Sequence, residues 1–184
     1  LDTGLLYRAV GRLALDAGQD PAQPAERFAQ ALTPADLQRK DLRTPEAAQA
    51  ASKVAAQPAV RAALVETQRR FAAGQGAVLD GRDIGTAIFP DADVKLFITA
   101  SPATRALRRF WQSGGDTAAA DAQMRLHEME EALSARDTAD ASRDSAPMRV
   151  ADDAHVIETD TLDAQAVLAE ALRFARDRLV VPRG

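Results

Sequence analysis

The 184 residues suffice for one domain with its own hydrophobic core and a small appended lobe. A hydrophobic share of 46% argues against disorder, no apolar run is long enough to span a bilayer, and no signal-peptide pattern opens the chain. A net charge of −4 argues against a general nucleic-acid-binding surface, and the absence of cysteine excludes disulfides and thiolate metal sites, in keeping with a reducing cytoplasm.

The two histidines, His127 and His155, are too few and too far apart to suggest a zinc site, so no metal-ligating set is assigned. Only three of the 23 cations are lysines, Lys40, Lys53 and Lys95. A GC-rich genome explains much of that bias, and anion recognition by guanidinium forks is the sharper reading. Position must decide which arginines matter. Leu1 is neither Met nor a small residue exposed by Met removal, so the chain reads as a fragment.

Taken in order, Thr3 to Asp16 predicts an amphipathic helix with Leu6, Val10, Leu13 and Ala14 on one stripe, Thr3 as N-cap and Gly18 as stop. Asp20 to Arg43 is rich in Pro and Ala, with a short helix near Ala22 to Ala31. Thr44-Pro45 opens a further helix, and Pro58 opens a longer one carrying Val60, Leu64, Val65 and Phe71 to about Gly74. Ala77 to Asp80 predicts a buried strand, Val94 to Thr99 a second and His155 to Glu158 a third. Helices are predicted over Pro102 to Gln112, about Ala118 to Arg136, and Ala164 to Arg178. Strands alternating with helices give an α/β class, a parallel sheet with helices on both faces, which binds ligands at the carboxyl ends of its strands.

Three polar clusters stand out. Asp80-Gly81-Arg82-Asp83-Ile84-Gly85-Thr86 follows the first predicted strand. It is either a ligand-facing turn or a self-satisfied one, with Arg82 paired to Asp80 or Asp83. In Arg136 to Arg143, residues Arg136, Asp140 and Arg143 share one face if the helix continues. That face is either an ion-pair ladder or part of a mobile flap before Pro147. In Leu1 to Arg8 a carboxylate, a hydroxyl, a glycine and an arginine open a helix, where anions are favoured; simple capping by Thr3 is the competing reading.

Leu-Asp-Thr-Gly-x-x-Tyr-Arg, Arg-Thr-x-Glu with Ala-Ser-x-Val-Ala, Asp-Gly-Arg-Asp-Ile-Gly-Thr with Phe-Pro-Asp-Ala, and Arg-Asp-x-x-Asp-x-x-Arg together resemble bacterial cytidylate kinases in order and spacing, from Leu1 to about Arg176. The resemblance implies a P-loop nucleoside-monophosphate-kinase fold, with a monophosphate lobe at about 18–75, a lid at about 112–147 and the remainder core. It implies transfer of the γ-phosphoryl of ATP, with Mg²⁺, to CMP or dCMP by a cytoplasmic monomer. Ser52, Arg61 and Asp83 match the cytosine-holding positions. A carboxylate there accepts from the N4 amino group of cytosine, where uracil presents an acceptor instead.

Arg8, Arg82 and Arg143 match the arginines around the acceptor phosphate, with Arg43 a further candidate. Thr3 and Tyr7 match residues lining the nucleotide, and Arg136 and Asp140 match lid positions near the ribose and the transferring phosphoryl. Arg82, Arg136 and Arg143 are the catalytic candidates. Arg105 and Arg109 either approach ATP or are solvated helix arginines.

Three departures accompany the resemblance. No lysine follows a glycine, so the phosphate loop is absent and the chain is expected to lack the first strand, P-loop and first helix, and to be catalytically incomplete. Asp20 to Arg43 is too short for the small β-insert many members carry. Ala139 and Ala141 stand where relatives often carry arginine. The competing readings are a kinase for another monophosphate such as UMP, and a nucleotide-binding module without catalysis.

Overall fold

A computed structural model describes residues 1–74, 76–143 and 146–180. The chain forms two compact units, Leu1–Phe89 with Arg143–Ala146, and Pro90–Ser142 with Pro147–Gly184.

The first unit is helical. Helix α1 (Gly4–Asp16) buries Leu6, Val10 and Ala14 of the predicted stripe together with Ala9, while Leu13 of that stripe is half-buried. Its predicted cap is not one. Thr3 is already in helical geometry and its hydroxyl donates to the Asp80 carbonyl at 2.7 Å instead of accepting from the first turn. The short α2 (Glu26–Gln30) occupies the second half of the segment predicted for it, Ala22 to Ala31. Helix α3 (Pro45–Ala55) begins as expected. Pro45 occupies the first turn, where its missing N–H costs nothing, and the Thr44 hydroxyl accepts from Ala47 N at 3.2 Å.

Helices α1 and α3 cross at Gly11, where a Cβ would lie 2.7 Å from that of Ala50. Helix α4 (Pro58–Ala72) closes the core of Leu6, Val10, Ala25, Ala29, Val54, Val60 and Leu64. Gln57, just before α4, fastens the preceding loop from three directions. Its amide nitrogen donates to the carbonyls of Pro21 (2.8 Å) and Gln23 (3.0 Å), and its oxygen accepts from Ala25 N at 2.9 Å.

The predicted strand over Ala77 to Asp80 is a correction. Only Asp80 makes a ladder contact, a parallel bridge with Asp2, and Val78 is 86% exposed. The segment lies alongside Leu1–Thr3, and Leu1 N donates to Val78 O at 2.6 Å. Asp80 N donates to Leu1 O and Thr3 N to Asp80 O, both at 2.9 Å.

The second unit carries the parallel pair β1 (Leu96–Thr99) and β2 (His155–Glu158), in the register Leu96–His155 to Thr99–Glu158. Helix α5 (Pro102–Gln112) starts where Pro102 predicts, capped by Ser101. Asp160, just beyond β2, accepts from Ser101 N (3.0 Å) and Thr104 Oγ1 (2.7 Å), which ties the end of β2 to the start of α5. Phe110 is fully buried from α5, with Arg125 of α6 (Ala122–Ala141) 5.1 Å from its ring centre. Helix α6 starts later than predicted and runs on past Arg136. Helix α7 (Ala164–Val180) returns to β2, where His155 stacks on Phe174 at 4.4 Å and meets Glu170 at 2.9 Å.

Because Gln57 makes three bonds that no other side chain supplies, Gln57→Ala is expected to destabilise the protein by about 2 kcal/mol. In urea unfolding the midpoint should fall while the slope stays unchanged.

Candidate nucleotide site

The Asp80-to-Thr86 turn folds around an anchored backbone. The Asp83 carbonyl accepts from Ala87 N at 2.9 Å and from Thr86 N and Ile88 N at 3.3 Å, as Ile84–Ile88 winds into a single wide π-turn. Gly81 lies so close to Thr3 and Ile84 that any Cβ there would overlap the Thr3 hydroxyl. This anchoring turns the Asp83 carboxylate inward, to a buried position.

There it meets Arg61 of α4. The Arg61 guanidinium, through Nη2, pairs with Asp83 Oδ2, and both side chains are more than nine-tenths buried. The third member is Tyr7 of α1, whose ring centre lies 5.8 Å from the Arg61 guanidinium. The Tyr7 hydroxyl is buried without a partner at good hydrogen-bonding geometry, and the Gln68 amide acts on it from α4. Burial pushes the Tyr7 phenol above its ordinary range. Arg61 opposes that rise, Asp83 adds to it, and Arg143 and Gln68 oppose it. Tyr7, Arg61, Asp83 and Arg143 are therefore neighbours inside one unit.

Gln68 was not foreseen. It is 1% exposed, donates to Leu64 O at 3.2 Å, and lies seven residues after Arg61 on the same helix face. That spacing, with a polar residue on an apolar stripe, was the available signal.

The remaining predicted residues of this unit surround the cluster less tightly. Arg8, one residue after Tyr7 on α1, donates from Nη1 to Leu42 O at 2.8 Å. Arg43 and Arg82 are exposed in their turns. Ser52 is exposed on α3, and its hydroxyl bonds back to Ala48 O at 3.2 Å. Arg143 is not on a helix face with Arg136 and Asp140, because α6 ends at Ala141 and Arg143 belongs to the first unit.

A model of the cytidylate kinase family matches residues 1–177. The chain is 54% identical over 178 residues to a cytidylate kinase of Granulibacter bethesdensis, covering 96% of this chain and 83% of that protein. It is 51% identical over 180 residues to one of Acidiphilium cryptum (93% and 80%) and 53% identical over 178 residues to one of Paramagnetospirillum magneticum (94% and 82%). The chain belongs to the cytidylate kinase family. Its fold is that of the nucleoside monophosphate kinases, and it is a phosphotransferase by descent.

In the second unit of this family member, α6 carries Arg136 and the buried Asp140, whose carbonyl accepts from Met148 N at 2.9 Å. Arg105 is not a solvated helix arginine. It pairs with Asp137 and donates from Nε to Ala100 O at 3.0 Å. Arg109 is exposed. Among the described residues no three His, Asp or Glu side chains gather closely enough to hold a metal ion, and no helix is long and apolar enough to cross a membrane.

Tyr7 is the only tyrosine, so phenolate absorbance reports this site alone. Its titration midpoint is expected above the ordinary phenol value. Arg61→Ala should raise it further, and Asp83→Ala should lower it. The stability it contributes is present below the unfolded phenol's range and is lost as pH rises through the folded value.

Proposed function

We propose that this cytidylate kinase family member binds CMP or dCMP in the first unit, with the Arg61–Asp83 pair as the base-reading element. The observation that carries the reading is that pair's burial beside Tyr7. A carboxylate and a guanidinium held edge to edge present an acceptor next to donors. Cytosine presents the complementary order, an N4 amino donor beside ring acceptors. Uracil would set its O4 against the carboxylate, acceptor to acceptor. Burial makes that mismatch costly, because neither group can turn to water. Ser52 completes the base set on the family resemblance.

Arg8, Arg82 and Arg143, with Arg43, are assigned to the acceptor phosphate. Thr3 and Tyr7 line the nucleotide, and Arg136 and Asp140 are assigned to the ribose and the transferring group. Phosphoryl transfer needs alignment of donor and acceptor and neutralisation of charge more than covalent help from the protein. Guanidinium groups supply both, and Arg82, Arg136 and Arg143 are the catalytic assignments. The donor is ATP carrying Mg²⁺ on its phosphates. We assign that ion to the substrate, with no resident site among the described residues. Arg105, engaged with Asp137, is assigned a structural role, and Arg109 is the donor-side candidate. Residues 18–75 are assigned as the monophosphate lobe and 112–147 as the lid, whose residues 144 and 145 lie outside the described residues. The setting we assign is a cytoplasmic monomer acting on small nucleotides.

Calorimetry with CMP and UMP tests the base reading. CMP should bind at least about tenfold more tightly than UMP, a gap of about 1.4 kcal/mol. Asp83→Asn, which turns a lone acceptor into an acceptor with a donor, should narrow or reverse that gap. Arg61→Ala should abolish CMP binding and cost about 3 kcal/mol of stability, because it leaves a buried carboxylate alone. Equal binding of CMP and UMP by the unmodified chain would overturn the assignment.

A further inference from the structure

The connection between α2 and α3 has little regular structure, only the 3₁₀ turns Asp36–Gln38 and Lys40–Arg43, yet it holds one of the proposed phosphate ligands. Arg8 donates to the carbonyl of Leu42, in the second of these turns. Leu42 itself is fully buried. The orientation of the Arg8 guanidinium therefore depends on where this turn is fixed.

Beside that burial and the Thr44 hydroxyl, which donates to Asp41 O at 2.9 Å, a closed ring of alternating charges holds the turn. Arg39 grips Asp41 with two prongs, Nε to Oδ1 at 3.0 Å and Nη2 to Oδ2 at 2.7 Å. Its remaining nitrogen, Nη1, reaches Asp16 Oδ2 at 2.6 Å, at the end of the helix that carries Arg8. The other Asp16 oxygen accepts from Arg12 Nε at 2.9 Å. Arg12 also lies 3.5 Å from Asp41 and 2.7 Å from Glu46 of α3. Asp16 and Asp41 are both held below the ordinary carboxylate range, in each case chiefly by Arg39. Arg39 thus joins α1 to the residue next to Leu42 in a single planar group, a task a point charge on a flexible stem cannot perform.

We propose that Arg39 is a positioning residue for the acceptor phosphate, acting through Asp41 and the Leu42 carbonyl on Arg8. The inference rests on the reading that Arg8 faces that phosphate. All three Arg39 nitrogens are engaged with Asp41 and Asp16, so its effect passes through the turn. It sets the height of the turn on which Arg8 leans, so its influence falls on the phosphate and not on the base. Surface ion pairs commonly contribute little to stability. A ring kept for stability alone would leave the discrimination between nucleotide and nucleoside untouched.

The test compares CMP with cytidine, which lacks the phosphate, by calorimetry on the full chain. Arg39→Lys keeps the charge and removes the fork, and Arg39→Gln removes both. In each variant CMP affinity should drop about tenfold while cytidine affinity stays unchanged. Nitrogen NMR should show the Arg8 guanidinium signal shifted or broadened in Arg39→Lys. A lower melting temperature with the CMP-to-cytidine ratio preserved and the Arg8 signal unmoved would overturn the proposal. If the unmodified chain binds CMP no better than cytidine, the phosphate role of Arg8 falls first, and the proposal falls with it.

Discussion

The Arg61–Asp83 pair is the interaction on which the first unit's site depends. Taking two charges out of water is costly, and the cost is offset only where geometry holds them together and other groups satisfy what remains. Here α4 supplies one charge and the Asp80-to-Thr86 turn the other. The pair therefore requires the turn to be anchored, and the Thr3–Asp80 contacts and the wide turn after Asp83 anchor it. Apolar residues of similar volume in place of the pair would avoid that desolvation cost, but they would remove the two charged groups that we assign to reading the base.

Around the pair, the helices act as rulers. Tyr7 and Arg8 are consecutive on α1, so they leave it about 100° apart. One turns to the Arg61 guanidinium and the other to the Leu42 carbonyl. Arg61 and Gln68 are two turns apart on α4, so they reach the same Tyr7 from one side. The close crossing at Gly11 and Ala50 sets the spacing of α1 and α3 with no large side chain between them.

Much of this was legible in the sequence. Pro45, Pro58 and Pro102 each mark a helix start to the residue, because a ring that fixes φ and lacks a donor fits only the first turn. The Asp80-to-Thr86 turn and the Tyr7–Arg8 pair were visible as clusters of chemistry, and their convergence came from family spacing and not from periodicity. The failures share a cause. Thr3 was read as a cap because its identity suits one, whereas a distant carbonyl claims its hydroxyl. An apolar run between glycines marks Ala77 to Asp80 as a buried strand, whereas only Asp80 forms a bridge and Val78 is exposed. Arg143 shares a face with Arg136 and Asp140 only on a helix that continues well past Arg136, and α6 stops at Ala141, two residues short of it. Gln68 and Arg39 were passed over because a single polar residue carries no pattern until its partners are known.

The crowding around Gly81 has a consequence for how this site can vary. Gly81 does not adopt a left-handed backbone, so any residue could follow its chain path. What forbids a side chain is crowding from the Thr3 hydroxyl and Ile84. The restriction is thus shared across two loops and is not local to one. A larger residue at 81 becomes admissible only if position 3 gives up its hydroxyl, so drift at these two positions, 78 residues apart, is expected to be correlated.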